Sequence, residues 1–278
     1  LEMLNSVTDY VTIINNNNLT DISSLSGITS LLGLEISNSG LTDLTGLGSL
    51  TTIFNLYFYN NTQLTSLNGL GAPTAIMGEF VMENNPMIAN ISAIANSDMS
   101  NASFVRIRDN AQLGTCTIAS LCAYLSSDGP ADIGNNASGC DGTLSIIGSC
   151  CSMDSSYCPT SSSTCFPNGL TLSSQADVDI IKFLYPNCTE VLVGLSIDGS
   201  DIINLDSLEN IEKVGNFLNI VSTNLVDLTG LDKLEEANNI YLAYNSQLTN
   251  LTGLEMLNSV TDYVTIINNN NLTDISSL

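Results

Sequence analysis

Residues 1–25 read LEMLNSVTDYVTIINNNNLTDISSL, and residues 254–278 read the same sequence letter for letter. The copies begin at Leu1 and Leu254, an offset of 253 residues, so Asn18 recurs as Asn271. Chance does not produce an identity of this length, and a fixed period is typical of proteins built from stacked units. The sequence therefore predicts a tandem array with a 253-residue repeat. The alternative is one repeat written out with an overlap.

A shorter period runs inside the long one. Each short repeat, or rung, is a strand, an Asn turn and Leu-x-x-Leu-x-x-Leu, as in LYFYNNTQLTSLNGL from Leu56. The first Leu or Ile after the turn recurs every 22 to 25 residues within each run, at positions 19, 41, 64, 88, 113, 202, 225, 248 and 272. Positions 19 and 272 are equivalent, so one repeat contains eight rungs.

The residues of one rung indicate a β-solenoid. Alternating residues such as Val11 and Ile13 place one apolar face inward. The Asn that follows tolerates the left-handed backbone conformation of a turn. No rung can bury its apolar face alone, so we expect parallel strands stacked on their neighbours. Stacking also predicts a ladder of Asn side chains, as in cross-β assemblies.

The rung pattern is interrupted between Cys116 and Cys188. TCTIASLCAYLSSDG (115–129) predicts a short helix, followed by a thin strand in ADIGNN. SQADVDIIKFLYPNC (174–188) predicts a second helix, capped by Ser173 or Ser174 and ended by Pro186. The apolar residues expected to face inward are Ile118, Leu121, Cys122 and Leu125 in the first helix, and Ile180, Ile181, Phe183 and Leu184 in the second.

These patterns predict three segments. Residues 1–150 are the C-terminal part of one solenoid repeat with its cap, 151–164 form a Ser/Cys/Pro-rich linker, and 165–278 are the N-terminal cap and first rungs of the next repeat. Caps are expected because an open end would expose strand edges and core.

The eight cysteines and the chain's sequons favour a secreted glycoprotein. An even number of clustered cysteines in a chain without His favours disulfides over a metal site. The cysteines are Cys116, Cys122, Cys140, Cys150, Cys151, Cys158, Cys165 and Cys188. Candidate N-glycosylation sites of the Asn-x-Ser/Thr type are Asn18, Asn60, Asn90, Asn101, Asn136, Asn187, Asn250 and Asn271. The alternative is unused sequons on a bacterial surface protein.

Several stretches of the sequence resemble a known family. CFPNGLTLSSQADVDIIKFLYPNCTEVLVGLSI (165–197) and NLDSLENIEKVGNFLNI (204–220) are similar to the entry and body of a receptor L domain, a family related to leucine-rich repeats. SLCAYLSSDGPADIGNNASGC (120–140) resembles the closing cap of leucine-rich-repeat-like microbial surface proteins. The resemblance implies a mainly β fold, a right-handed single-stranded β-helix with rungs of 22–25 residues and short helical, disulfide-containing caps.

The resemblance also implies that Cys165 pairs with Cys188. The other six cysteines allow 15 pairings, which remain open. Cys150, Cys151 and Cys158 depart from the family's pattern.

The composition argues against catalysis and against several partners. The chain has no His, and GxSxG, P-loop and HExxH motifs are absent. Asp177 and Asp179 fall in the first turns of a predicted helix, where acidic residues favour the helix dipole. A net charge of −23 disfavours nucleic acid and anionic membranes. We therefore predict no enzyme activity, no cofactor, no metal site and no membrane-spanning segment.

The function predicted from these observations is structural. The expected role is a component of an extracellular or cell-surface glycosylated fibril or appendage, whose partners are identical repeats and N-linked glycans. One alternative is a ligand- or carbohydrate-binding receptor-type ectodomain. Another is an adhesin or ice-binding face, which needs a flat Thr ladder that Thr12, Thr52 and Thr223 do not form convincingly.

Overall fold

The structure, a computed structural model, describes residues 6–159 and 163–278. The chain divides into two compact units, Leu1–Cys158 (unit 1) and Pro159–Leu278 (unit 2). Each unit is built on one seven-stranded sheet, in which all named strand pairs are parallel. Paired residues lie one rung apart, so Leu34 pairs with Leu56 and Leu56 with Phe80.

Unit 1 has its sheet in the order β1-β2-β3-β5-β6-β7, with β4 also paired to β3. Its strands are β1 (Tyr10–Ile14), β2 (Ser30–Ser37), β3 (Thr52–Tyr59), β4 (Ala75–Ile76), β5 (Glu79–Glu83), β6 (Phe104–Arg108) and β7 (Ala131–Gly134). Its helices are α1 (Ala119–Ser126) and α2 (Thr143–Met153), with 3-10 turns at Ser23–Leu25, Ser92–Ile94 and Ser155–Tyr157.

Unit 2 has its sheet in the order β14-β13-β12-β10-β8, and β11 links β12 to β9. Its strands are β8 (Thr164–Cys165), β9 (Leu170–Leu172), β10 (Glu190–Val191), β11 (Gly194–Asp198), β12 (Lys213–Val221), β13 (Glu236–Ala243) and β14 (Ser259–Ile267). The unit also contains helix α3 (Gln175–Leu184) and a 3-10 turn at Asp206–Leu208.

Strand alternation and the leucine spacing together supply the core. Leu34, Ile36 and Leu56 point inward from the strands and are fully buried. Leu41, Leu44 and Leu47 follow at a period of three and are also buried. Each rung therefore covers the rung beside it, as the pattern of apolar residues predicts.

In nine rungs the residue directly after the strand adopts a left-handed backbone conformation, which confirms the turn predicted there. Its φ lies between 50° and 59° wherever it is positive in this column. The column comprises Asn15, Asn38, Asn60, Asn84, Asp109 and Asn135 in unit 1, and Ser222, Tyr244 and Asn268 in unit 2. Asn and Asp tolerate this conformation better than other non-glycine residues.

The prediction of a right-handed single-stranded β-helix is wrong. Within the described residues, each unit has one parallel sheet, and the segments between its strands contain turns, 3-10 turns, isolated bridges and the helices α1 and α3 instead of further sheets. The physical reason is the period of three between leucines, which does not match the period of two that strands require. Gly46, at φ +117°, also bends the chain where a Cβ would lie 2.4 Å from the Ile22 carbonyl oxygen.

The helices near the disulfides match the sequence in part. In α1, Leu121, Cys122 and Leu125 are buried, as predicted, and Ser174 caps α3 by accepting a hydrogen bond from the Asp177 N–H. The inward placement of Phe183 is wrong, because Phe183 is 62% exposed. Val178, five residues earlier, lies on the buried face instead.

Helix α2 has no counterpart in the sequence prediction. It covers Thr143–Met153, so the predicted linker over 151–164 begins inside a helix. Residues 160–162 of that linker lie outside the described residues.

Candidate functional site

A ladder of buried Asn side chains runs across the sheet of unit 1, in the column after the left-handed residues. This confirms the predicted stacking of asparagines. Asn61, Asn85 and Asn110 are fully buried. The Asn85 Oδ1 accepts from both the backbone N–H (3.1 Å) and the Nδ2 (3.0 Å) of Asn61. Its own Nδ2 donates to the Phe58 carbonyl at 3.0 Å.

The ladder continues at both ends with the same geometry. Ser39 donates its N–H and its hydroxyl to Asn61 Oδ1 at 3.1 and 2.8 Å. Asn110 donates its N–H and Nδ2 to Asn136 Oδ1 at 3.0 and 3.1 Å. Each amide therefore ties two neighbouring rungs together and satisfies backbone groups that the turn leaves unpaired.

Unit 2 carries a shorter version of this ladder. Thr223 donates its N–H and hydroxyl to Asn245 Oδ1, and the Asn245 N–H donates to Asn269 Oδ1 at 2.9 Å. The Asn269 Nδ2 donates to the Leu242 carbonyl at 2.9 Å.

The candidate glycosylation sites differ in exposure. Asn18, Asn60, Asn101, Asn187 and Asn271 are exposed, whereas Asn90, Asn136 and Asn250 are half-buried. N-linked glycosylation replaces a hydrogen on Nδ2, so a site whose Nδ2 is held by the fold is the poorer acceptor.

Asn136 is such a site. Its Nδ2 donates to the Ile107 carbonyl at 2.8 Å and to the Cys140 carbonyl at 2.9 Å. Both amide hydrogens are used, because a primary amide has only two. The fold therefore uses Asn136 as the last member of the ladder.

Asn90 and Asn250 have a local structural role. The Asn90 Oδ1 accepts from the Ser92 N–H (3.3 Å), and the Asn250 Oδ1 accepts from the Thr252 N–H (2.9 Å). Aspartates at the same place in other rungs make this turn too, as when Asp43 Oδ1 accepts from the Thr45 N–H. The rung motif Asx-Leu/Ile-Ser/Thr thus becomes a sequon whenever Asn replaces Asp.

The outward face of the unit 1 sheet is aromatic and charged. Tyr57 and Tyr59 stack with ring centroids 6.2 Å apart, and the Tyr57 hydroxyl donates to Glu79 Oε2 at 2.9 Å. Burial and this hydrogen bond raise the pKa of Tyr57. Arg106 and Arg108 both pair with Asp132. These contacts join neighbouring strands and leave no bare aromatic platform in this group.

All eight cysteines are paired in the structure. The pairs are Cys116–Cys140, Cys122–Cys150, Cys151–Cys158 and Cys165–Cys188, the last being the pair that the family resemblance implies. Four disulfides are typical of secreted and extracellular proteins, which fold in an oxidising compartment.

An open cavity of about 640 Å³ lies at the surface of unit 1. Its walls come from residues 95–100, the start of α1, residues 127–130 and Tyr157. Ser120 lies in this wall at 5% exposure, and its hydroxyl has no hydrogen-bond partner in the structure. Tyr124, whose hydroxyl donates to the Pro130 carbonyl at 2.7 Å, has its pKa raised to about 12 by burial.

The described residues, 6–159 and 163–278, contain no group of three or more His, Cys, Asp or Glu side chains arranged to hold a metal ion. None of the helices in these residues has the length and apolar character needed to cross a membrane. Asp177 accepts from the Ser173 N–H and the Ser174 hydroxyl at the start of α3, which is a capping role.

Sequence reasoning missed the cavity, because its walls come from separate parts of the chain between Ala95 and Tyr157. It also missed that Asn136 is a ladder residue, although the Asn-Asn pair after strand β7 repeats the pattern at Asn60 and Asn84. No protein-family model matches the chain, and no curated protein matches it.

Proposed function

We propose that the chain is a structural component of an extracellular fibril or surface appendage, assembled from tandem 253-residue repeats and coated with N-linked glycans. The observation that carries this proposal is the identity of residues 1–25 and 254–278. A binding site gains little from repetition of an entire scaffold, whereas a filament requires it.

The parallel sheets and ladders support this role. Each rung presents strand and ladder groups that another rung satisfies, as between Asn61 and Asn85. An architecture of this kind extends by adding rungs along one direction. The net charge of −23 makes filaments repel one another sideways and so favours dispersed fibres.

Glycans are proposed at the exposed sequons. A coat there would shield strand surfaces from proteases and from lateral association. Peptide mapping of native material should find Asn101 modified and Asn136 bare, since the Asn136 Nδ2 is held by two carbonyls. Modification at Asn136, or bare asparagine at most exposed sequons, would contradict this part of the proposal.

Electron microscopy of native material tests the fibril itself. We expect unbranched filaments with a regular axial repeat that persist after the disulfides are reduced. Uniform particles of the size of one repeat would overturn the proposal. The family resemblance would then favour a receptor-type domain.

A second candidate function is the binding of a small ligand in the cavity of unit 1. Its walls offer the Ser120 hydroxyl and the carboxylates of Asp98 and Asp128, a set suited to a polyhydroxylated molecule such as a sugar. The unpaired Ser120 hydroxyl is the observation that supports it.

Calorimetric titration with glucose, galactose and N-acetylglucosamine tests this candidate. Binding that is lost in Ser120→Val and kept in Ser126→Ala, a change outside the cavity walls, would support it. Absence of heat with all three sugars would remove it, provided that the parent protein is folded.

A further inference from the structure

The duplicated segment is seen in two surroundings. In unit 1 its strand, β1, pairs with β2, so that Tyr10 lies opposite Gly33. In unit 2 the same strand sequence, β14, pairs with β13, so that Tyr263 lies opposite Asn239. β1 thus shows the strand that follows this segment in the sheet, and β14 shows the strand that precedes it.

We propose that one copy of this segment lies between β13 of one repeat and β2 of the next repeat, so that a parallel sheet continues without a break across the junction. The occupant of the open edge of β14 is a second copy of the 253-residue repeat, entering at residue 26. This inference rests on the proposed tandem array and specifies how its repeats join.

The backbone groups of the segment fit both partners at once. The Ile267 carbonyl accepts from the Tyr244 N–H at 3.1 Å, which is a bond to the preceding strand. In the other copy, the Asn15 N–H donates to the Ser37 carbonyl at 2.9 Å, a bond to the following strand. Ile267 and Asn15 correspond to adjacent residues, and the bonds use different groups. No donor or acceptor is shared, so a single copy can make both.

An apolar residue of the segment is buried in one copy and exposed in the other. Ile22 is 4% exposed in unit 1, whereas its equivalent Ile275 is 54% exposed in unit 2. The difference arises because Ile22 has the rung that begins at residue 26 beside it. The same rung added to β14 would bury Ile275.

The contacts of the segment's tyrosine also indicate that a second repeat lies beside β14. A Cβ built on Gly33 would lie 2.1 Å from Cε1 of Tyr10, so the ring sits on the bare backbone of this glycine. The Tyr10 hydroxyl accepts from Asn55 Nδ2 at 2.7 Å. Tyr263 is 58% exposed. Gly33 and Asn55 of a second copy would supply its missing contacts.

The segment receives its Asn-ladder contact from the preceding strand, β13. Asn269 accepts from Asn245 and is 9% exposed, while its equivalent Asn16 is exposed. At the junction the segment therefore gains its ladder contact from the preceding repeat and its apolar cover from the following one.

Hydrogen exchange measured by mass spectrometry tests the junction. The 278-residue chain is compared with a two-repeat protein, in which residue 253 of the first repeat is followed directly by a full second chain. The substitution Asn270→Gln at an exposed position distinguishes the segment under study from its identical copies by mass. We expect the Asn268 amide to exchange at least tenfold more slowly in the two-repeat protein, approaching the rate of Asn15.

The Asn15 amide of the first repeat is the internal control for folding, since its bond to Ser37 is present in both proteins. Slow exchange at Asn15 together with unchanged fast exchange at Asn268 would overturn the proposal. That result would refute the proposed junction without refuting the fibril. Absence of native filaments would refute the fibril without changing the exchange result, so the two failures are distinguishable.

A pair of substitutions in the second repeat gives an independent reading. Gly33→Val places its side chain where the junction tyrosine ring should lie, and should restore fast exchange at Asn268. Gly48→Val is the matched control, because the nearest atom to its Cβ is 4.0 Å away. Equal exchange rates in the two variants would contradict the predicted contact. If either variant fails the Asn15 control, Tyr263→Ser at the junction replaces the pair and should likewise speed exchange at Asn268.

Discussion

Replacement of one ladder asparagine, Asn85→Ala, should destabilise unit 1 by several kcal/mol. Asn85 is fully buried, and its side chain accepts from the Asn61 N–H and donates to the Phe58 carbonyl. Alanine leaves the buried Asn61 N–H without its acceptor and removes the amide's bond to the Phe58 carbonyl. An unsatisfied buried group costs about 1–3 kcal/mol and a lost hydrogen bond about 1 kcal/mol, so we expect a loss of about 3 kcal/mol.

Asn16→Ala is the matched control for this prediction. Asn16 lies in the same column but is exposed, and its Nδ2 donates only to the nearby Ile14 carbonyl at 2.9 Å. Exposed substitutions of this kind usually change the free energy of unfolding by less than about 0.5 kcal/mol.

Chemical denaturation followed by circular dichroism, with the disulfides intact, measures both variants. The midpoint for Asn85→Ala should fall while the slope of free energy against denaturant stays constant. A loss below about 1 kcal/mol, or one equal to that of Asn16→Ala, would refute the reasoning that buried amide ladders hold the rungs together.

Three further predictions follow from other parts of the structure. Tyr244 is 57% exposed at φ +58°, and Tyr244→Asn should stabilise unit 2 by about 1 kcal/mol in the same denaturation assay, because Asn tolerates this conformation better; a loss of stability would contradict that reason. Tyr124→Phe should cost about 1 kcal/mol at pH 7 through the lost bond to a carbonyl. Burial raises the pKa of Tyr124 to about 12, so the parent protein loses stability as pH rises from about 10, the value in the unfolded chain, towards 12; the cost of the variant should shrink over that range, and a constant cost would argue against burial as the cause. Replacing Cys165 and Cys188 by Ser opens a loop with a sequence separation of 23 residues, and should lower the stability of unit 2 by about 3 kcal/mol, whereas an unchanged midpoint would show that the loop is held by packing alone.

The sequence predicts the rungs well because their signals are local. The Asn residues that end the strands mark the left-handed turns, and the leucine spacing marks the buried positions. Tyr244 and Ser222 adopt the same left-handed conformation without such a signal. Their conformation is imposed by the neighbouring rungs and is visible only in the structure.

The parts that failed depend on non-local packing. The period-three leucines fill the core without forming strands, so the expected β-helix is replaced by one sheet per unit. Phe183 fits a helical face in sequence but lies exposed, because Val178 and Ile181 already face the core. The Ser/Cys-rich composition of this stretch does not predict helix α2. Two disulfides, through Cys150 and Cys151, tie the helix to neighbouring segments.

The mass of the native chain under reducing and denaturing conditions, before and after enzymatic removal of glycans, tests the tandem array most directly. Our account predicts a deglycosylated mass of many 253-residue repeats, and a higher mass before the glycans are removed. A deglycosylated mass near that of one repeat would contradict the covalent array and would leave the duplicated segment as an overlap of a single repeat.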